Sequence, residues 1–351
     1  MRVLLISPGF AADAADLNCI PPLYLLAREL NKHGVSLDII ALEYPFQDTP
    51  YPMRWPFDTP GQATTTVYPC NGHNRRWLRW RTYARARRQA QVLLRQNRYQ
   101  AIHSFWLGPA WALGETVAAR SGIPHRTTLM GQDAAAGNRF LRRVDAEKAA
   151  RLVALSPFQQ DQFEQATGCR AGHCIPWGVE PATEPLPPPG ERPLHVLGVG
   201  SLLPVKNWPL WLQVLRQVAD AFPGLRAELI GSGPENDRLQ SLIRQLDLST
   251  QVRLAGELPR PQVLDRMRQS RVLLHTARFE SFGMVLAEAA ARSCAIVSTP
   301  VGYAPALGAC ADKAPGLAGW VRQALENNAA PAPGLAPGLD ATTAAYLQLI
   351  T

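Results

Sequence analysis

No run of apolar residues in this 351-residue chain approaches the roughly 20 needed to span a bilayer, so no transmembrane helix is expected. Cysteine is sparse. The six thiols (Cys19, Cys70, Cys169, Cys174, Cys294 and Cys310) form no CxxC pair and stand near no histidine cluster at zinc spacing, which excludes the common structural zinc motifs. Reduced thiols in a cytoplasmic protein are the expectation. The N-terminal "MRVLLISPGF" has too short an apolar run for a signal peptide, and no small-residue cleavage site follows before Asp13. The turn after that first apolar run lacks GxGxxG and a suitably placed acid, which disfavours a dinucleotide dehydrogenase. No DxD follows any strand candidate, so neither a phosphate-bridging metal nor a resident cofactor is expected.

What is present is ample apolar material. The chain is 46% hydrophobic and 18% charged, which argues against disorder, and its length suits two domains. The net charge of +8 is uneven: nine arginines and no acid lie between Arg75 and Arg98, so the remainder sums to about −1. That segment, "RRWLRWRTYARARRQAQVLLRQNR", sets Trp77, Trp80 and Ala84 on one helical face among arginines. Such a face suits an anionic membrane surface; no nucleic-acid motif accompanies it. The alternative is a solvated helix whose two tryptophans pack into the core.

Short Val/Ile/Leu-rich runs alternate with helical patterns. Strands are expected at 2–7, 37–42, 101–105, 126–130 and 151–156, then at 195–200, 227–231, 252–256, 271–276 and 295–299. Helices are expected at 22–34, 75–97, 109–122 and 156–168, then near 208–221, 235–246, 261–269, 283–292, 316–327 and in "ATTAAYLQLI" at the C-terminus. The proline-dense "PATEPLPPPGERP" (181–193) reads as a linker. The expected class is therefore α/β, with two doubly wound domains facing across a cleft: 1–180, the linker 181–193, 194–330, and 331–351 as a flexible stretch with a closing helix.

Ligands of such sheets bind at the carboxyl ends of strands. Three post-strand turns qualify in the second half: "GSLLPVK" (Gly200–Lys206), "GSGP" with Gly231 and Gly233, and "ESFGMVLAE" (Glu280–Glu288). Glycine lets backbone approach a ligand, a helix start offers unpaired amides, and a lysine adds a cation, a combination that suits a diphosphate. Each has a plainer reading: a tight turn for the glycines, a solvated lysine, an exposed glutamate. Glu280 and Glu288 are read more sharply as two acceptors for hydroxyl groups, through charge-assisted hydrogen bonds.

Together these turns resemble the C-terminal half of the retaining glycosyltransferases of the GT-B fold, family 4, with their G-R-L-x-x-x-K, G-x-G-P and E-x-F-G-x-x-x-x-E motifs. The first half resembles them through "MGQD" (130–133), "ALSPF" (154–158) and "IPWGVE" (175–180). The resemblance implies two Rossmann-like domains and transfer of a hexose-type sugar from a nucleoside-diphosphate sugar to a glycan or lipid-linked acceptor, with retained stereochemistry. It implies that Lys206 holds the diphosphate, Glu280 the donor sugar and Glu288 the ribose. Gly200, Ser201, Gly231, Gly233 and Ser281 would line the donor site, and the amides of Phe282, Gly283 and Met284 would face the diphosphate.

The chain departs from that pattern at three places. Ser201 stands for the usual arginine, Met130 for a histidine, and the first loop lacks the expected glycine pair. His103, at the end of a strand candidate, is the substitute for the missing histidine, against the plainer reading of a satisfied strand-end histidine. Asp133 is a candidate contact for the acceptor hydroxyl, against a local Asx-turn. A nucleotide-sugar epimerase of the same architecture and a non-catalytic nucleotide-sugar-binding subunit are the competing functions. Incubation with donor alone, and any acceptor-dependent transfer, would separate them.

Overall fold

A computed structural model describes the chain except for residues 14, 17–18, 56–62 and 329–334. Contacts divide it into two units, Met1–Gly178 with Leu339–Thr351, and Val179–Gly338.

In the first unit, eight strands form one sheet: β1 (Arg2–Gly9), β2 (Ser36–Tyr44), β3 (Tyr51–Met53), β4 (Thr65–Pro69), β5 (Ala101–Phe105), β6 (His125–Thr128), β7 (Leu152–Ala154) and β8 (His173–Cys174). Their order is β3-β4-β2-β1-β5-β6-β7-β8, parallel throughout except for β3 at the edge. The central strands are apolar on both faces because helices cover both. Leu4, Ile6, Ile40 and Ile102 pack against Ala86, Ala90, Leu93 and Leu113 on one side. Leu107, Trp111, Leu152 and Phe163 make a second cluster. The expected helix 156–168 forms at Pro157–Thr167: Ser156 Oγ accepts from the Gln159 amide at 3.1 Å, and Gly168 closes it at φ 72°.

In the second unit, β9 (Leu194–Val199), β10 (Ala227–Ile230), β11 (Val252–Gly256), β12 (Ser270–His275), β13 (Ala295–Ser298) and β14 (Ala309–Cys310) run parallel in the order β11-β10-β9-β12-β13-β14. This is the 3-2-1-4-5-6 order of a doubly wound sheet, whose switch point falls between β9 and β12. Trp208, Trp211, Leu215 and Val218 of helix Trp208–Ala219, with Leu317 and Val321 of helix Ala314–Asn327, seal one face.

Three sequence expectations change. The short strands β3, β4, β8 and β14 were not anticipated; two to five residues carry too little periodicity to read. The proline-dense segment is not a free linker, because Arg192 within it is buried and donates to the carbonyls of Ser270 (2.8 Å) and Ser293 (3.0 Å). The C-terminal helix, Leu339–Ile350, packs in the first unit: Tyr346 stacks on Trp177 with ring centroids 5.7 Å apart, and its hydroxyl lies 2.8 Å from Thr128 Oγ1. The stretch expected to be flexible before that helix lies largely outside the described residues.

Candidate active site

The loops that follow β9 and β12, neighbours at the switch point, are stitched together by backbone and threonine. The Arg278 amide donates to the Val205 carbonyl (2.8 Å), and Thr276 Oγ1 reaches the carbonyls of Lys206 and Asn207 (3.2 Å each). Thr299, just past β13, ties the same loop from the other side: its amide donates to the His275 carbonyl (3.0 Å), and its hydroxyl donates to the Ala277 carbonyl (2.6 Å). This stitching brings Lys206, 74 positions away in sequence, onto Glu280.

Lys206 Nζ and Glu280 Oε1 form an ion pair, with side chains 18% and 16% exposed. The same oxygen lies 3.1 Å from Nε2 of His275, at the end of β12 and 1% exposed. Burial alone would raise the Glu280 pKa. The His275 hydrogen bond and the Lys206 charge overcome it and hold the carboxyl down at about 2. Glu280 is thus an anion held on two sides, at the mouth of the sheet where ligands bind.

Glu288 lies on helix Met284–Ala290, shorter than the 283–292 expected. It too is held by a cation: Arg260 Nε and Nη2 donate to its Oε1 at 3.0 and 2.8 Å, and Glu180 lies 3.6 Å from the same guanidinium. By position, the amides of Met284 and Val285 precede the first intrahelical bond, from Leu286 to the Gly283 carbonyl. The Phe282 side chain is buried beside Tyr303, so only its backbone can serve a ligand. Ser281 and Met284 are half-buried beside it.

The glycine turns have a structural cause. A Cβ on Gly231 would sit 1.9 Å from the Gly200 carbonyl oxygen, and one on Gly233 would sit 2.7 Å from that of Leu202. The two turns interlock through Gly200 N to Ile230 O (2.9 Å) and Leu202 N to Ser232 O (2.8 Å). Both glycines are therefore required by turn-on-turn contact, whatever else they meet. Ser201 is exposed, and its carbonyl accepts from the Trp208 indole at 2.9 Å.

Two first-unit candidates sit elsewhere than a reactive role needs. His103 is 1% exposed within β5, its Nε2 bonded to Thr128 Oγ1 at 2.8 Å. Burial, helped by the charges of His125 and Arg126, lowers its pKa to about 3 and keeps it neutral. It is a buried mid-strand link rather than an accessible substitute for the missing histidine, and it is only half satisfied, since its Nδ1 meets no hydrogen-bond partner among the described residues. Asp133 accepts from the amides of Leu107 (2.7 Å), Gly131 (2.6 Å) and Met130 (3.1 Å), so its carboxylate folds its own turn and ties it to the loop after β5. Burial pushes its pKa up against those three amides.

Residues missed from the sequence are His275 and Arg260. The first was visible as the histidine directly after the apolar run Val272–Leu274, five positions before Glu280; the second carries no local signal. The arginine segment also resolves. Helix Arg79–Gln96 buries Thr82, Ala86, Ala90 and Leu93, which turns Trp80 (66% exposed) outward; Trp77 (68% exposed) lies in the turn Arg76–Leu78 that precedes the helix. The reading that packed both tryptophans into the core is overturned.

Residues 23–183 match the model described as Glycosyltransferase Family 4, and residues 185–310 match Glycosyl transferases group 1. The chain belongs to the family 4 glycosyltransferases. Among curated relatives, the GPI3 subunit of phosphatidylinositol N-acetylglucosaminyltransferase of Saccharomyces cerevisiae is 31% identical over 110 residues, 31% of this chain and 24% of that protein. An uncharacterized glycosyltransferase of Methanocaldococcus jannaschii is 26% identical over 206 residues, 57% of this chain and 56% of that one. The chain thus spans about a quarter to a half of the length of these relatives. Among solved structures, Anabaena HepE in complex with UDP-glucose gives a TM-score of 0.67 at 18% identity, over 100% of this chain and 98% of that one. A glycosyltransferase from Rickettsia africae gives 0.66 at 13%, over 99% and 97%. These likenesses fix the fold of the family 4 chain as GT-B, two Rossmann-like α/β units. No helix among the described residues is long and apolar enough to cross a membrane.

Proposed function

We propose that this family 4 chain transfers a hexose-type sugar from a nucleoside-diphosphate sugar to a hydroxyl of a glycan or lipid-linked acceptor, with retention of anomeric configuration and without a phosphate-bridging metal. The observation that carries the reading is the Lys206–Glu280–His275 cluster at the switch point of the second sheet, of which Lys206 and Glu280 stand at positions of the motifs that the chain shares with the family. HepE was solved with UDP-glucose, and the yeast relative is named for N-acetylglucosamine transfer, which supports an activated-sugar donor. In this reading Lys206 leaves Glu280 for the diphosphate, Glu280 takes the sugar hydroxyls, and Glu288 takes the ribose with its second oxygen while Arg260 fixes the first. Breaking the anomeric bond places negative charge on the departing diphosphate, which Lys206 and the fixed amides near Gly283 neutralise without reorganising. Ser201 leaves one cation fewer at that step. Attack comes from the leaving-group face: the acceptor oxygen bonds the anomeric carbon as the bond to the diphosphate breaks, the hydroxyl proton passes to the departing phosphate oxygen, and no role in it falls to His103 or Asp133.

The outward tryptophans support an anionic membrane surface as the place of work. Trp77 and Trp80, with Arg75, Arg79, Arg81 and Arg85 exposed around them, combine insertable rings with phosphate-seeking charge. A titration with UDP, GDP and ADP fixes the donor class. Transfer from the matching activated sugar by the unsubstituted protein, lost in Glu280→Ala and Lys206→Ala, completes the test; near-unchanged transfer in both folded variants refutes the assignment.

A further inference from the structure

We propose that His275 is a positioning residue that keeps the sugar-binding carboxylate in place when Lys206 is drawn away. The inference rests on the donor reading above and deepens it. Two partners share one oxygen, Glu280 Oε1: the Lys206 ammonium and the His275 ring. They differ in kind. Lys206 ends a long flexible stem on the single-turn helix Pro204–Lys206 and is free to change partner. His275 belongs to β12, its neighbour Leu274 pairs with Val297 of β13, and its own carbonyl accepts from the Thr299 amide. The ring cannot follow a ligand.

Its tautomer follows from burial. His275 Nδ1 is buried with no hydrogen-bond partner among the described residues, so a proton there would be a stranded donor. The proton is therefore assigned to Nε2, which donates to Glu280. A diphosphate brings more negative charge than one carboxylate and takes Lys206. Glu280 then loses its cation at the moment it must accept hydrogen bonds from the donor sugar. His275 is the fixed donor that holds one Glu280 oxygen and leaves the other for the sugar.

The test compares His275→Gln with His275→Asn in the full chain. Both bury an amide, but only Gln places an N–H near the position of imidazole Nε2. Affinity for the nucleoside diphosphate alone should stay within about twofold in both variants. Affinity for the sugar nucleotide, and kcat, should fall about tenfold or more in Asn and recover to within about threefold in Gln, the scale of one charge-assisted hydrogen bond. Asn matching the unsubstituted protein on sugar nucleotide overturns the inference. So does an equal loss of nucleoside diphosphate and sugar nucleotide in both variants, which marks a merely structural histidine. Absence of any nucleoside-diphosphate binding by the unsubstituted protein overturns the donor reading, and this inference with it.

Discussion

Glu280→Gln should bind a nucleoside diphosphate more tightly than the unsubstituted protein does, while handling the corresponding sugar nucleotide worse. The Lys206 ammonium is paired with Glu280, so a diphosphate must compete for it. Removing the carboxylate charge removes that competition and also removes a repulsive anion beside the phosphates. The pair is mostly but not wholly buried, which sets its strength between an exposed pair and a fully desolvated one, about 1.5 kcal/mol after solvent screening. That corresponds to about tenfold in Kd. The amide oxygen of the substituted side chain still accepts from His275, and Lys206 reaches solvent, so the fold should survive. With the sugar attached, the variant replaces charge-assisted hydrogen bonds by neutral ones, and kcat/KM should fall at least about tenfold. Calorimetric titration with the diphosphate and the sugar nucleotide reads both effects. A variant of unchanged melting temperature that loses both ligands equally would show that Lys206 is not held in reserve by Glu280.

Three further outcomes follow from other parts of the molecule. Gly231→Ala drives a Cβ to 1.9 Å from the Gly200 oxygen at a φ of 151°, and should cost more than about 3 kcal/mol in urea unfolding; a normal midpoint would mean the two turns do not interlock. His103 binds its proton only near pH 3 when folded, against about 6.5 unfolded, so stability should drain as pH falls from 6.5. His103→Asn should recover about 2–3 kcal/mol of the loss between pH 7 and pH 4.5, and an unchanged slope in that window refutes the buried neutral ring. Trp77→Ala with Trp80→Ala should abolish flotation with anionic vesicles at low salt and leave the melting temperature within a degree or two, because neither ring is packed; flotation that persists, or is absent from the unsubstituted chain, removes the membrane role.

Much of the fold could be read from local pattern because its causes are local. The strands around β9, β10 and β12 declare themselves as apolar runs, and Ser156, Pro157 and Gly168 mark a helix by the chemistry of its two ends. The glutamate pair and Lys206 were legible for a different reason, as spacing that no burial pattern demands. What could not be read was made by distant contact. The C-terminal helix joins the first unit through a Tyr346–Thr128 bond that spans 218 positions, and Arg260 finds Glu288 across 28. His103 and Asp133 look reactive by residue type, yet the fold uses one as an interior link and the other to satisfy three amides. Trp80 shows the converse: its place in a helical pattern was plain, but which face turned outward depended on Thr82, Ala86, Ala90 and Leu93 being buried, and Trp77, spaced as if on the same face, falls in the turn before the helix.

The return of helix Leu339–Ile350 to the first unit makes the second unit an insertion, one unbroken piece of chain with both of its ends spliced into its host. Those ends leave side by side, since Val179 bridges Gly338 and its amide donates to the Pro337 carbonyl at 2.9 Å. A gene fragment encoding 179–338 therefore encodes the whole second unit, whereas trimming a dozen residues from the C-terminus would open the interior of the other half, under Trp177 and Thr128.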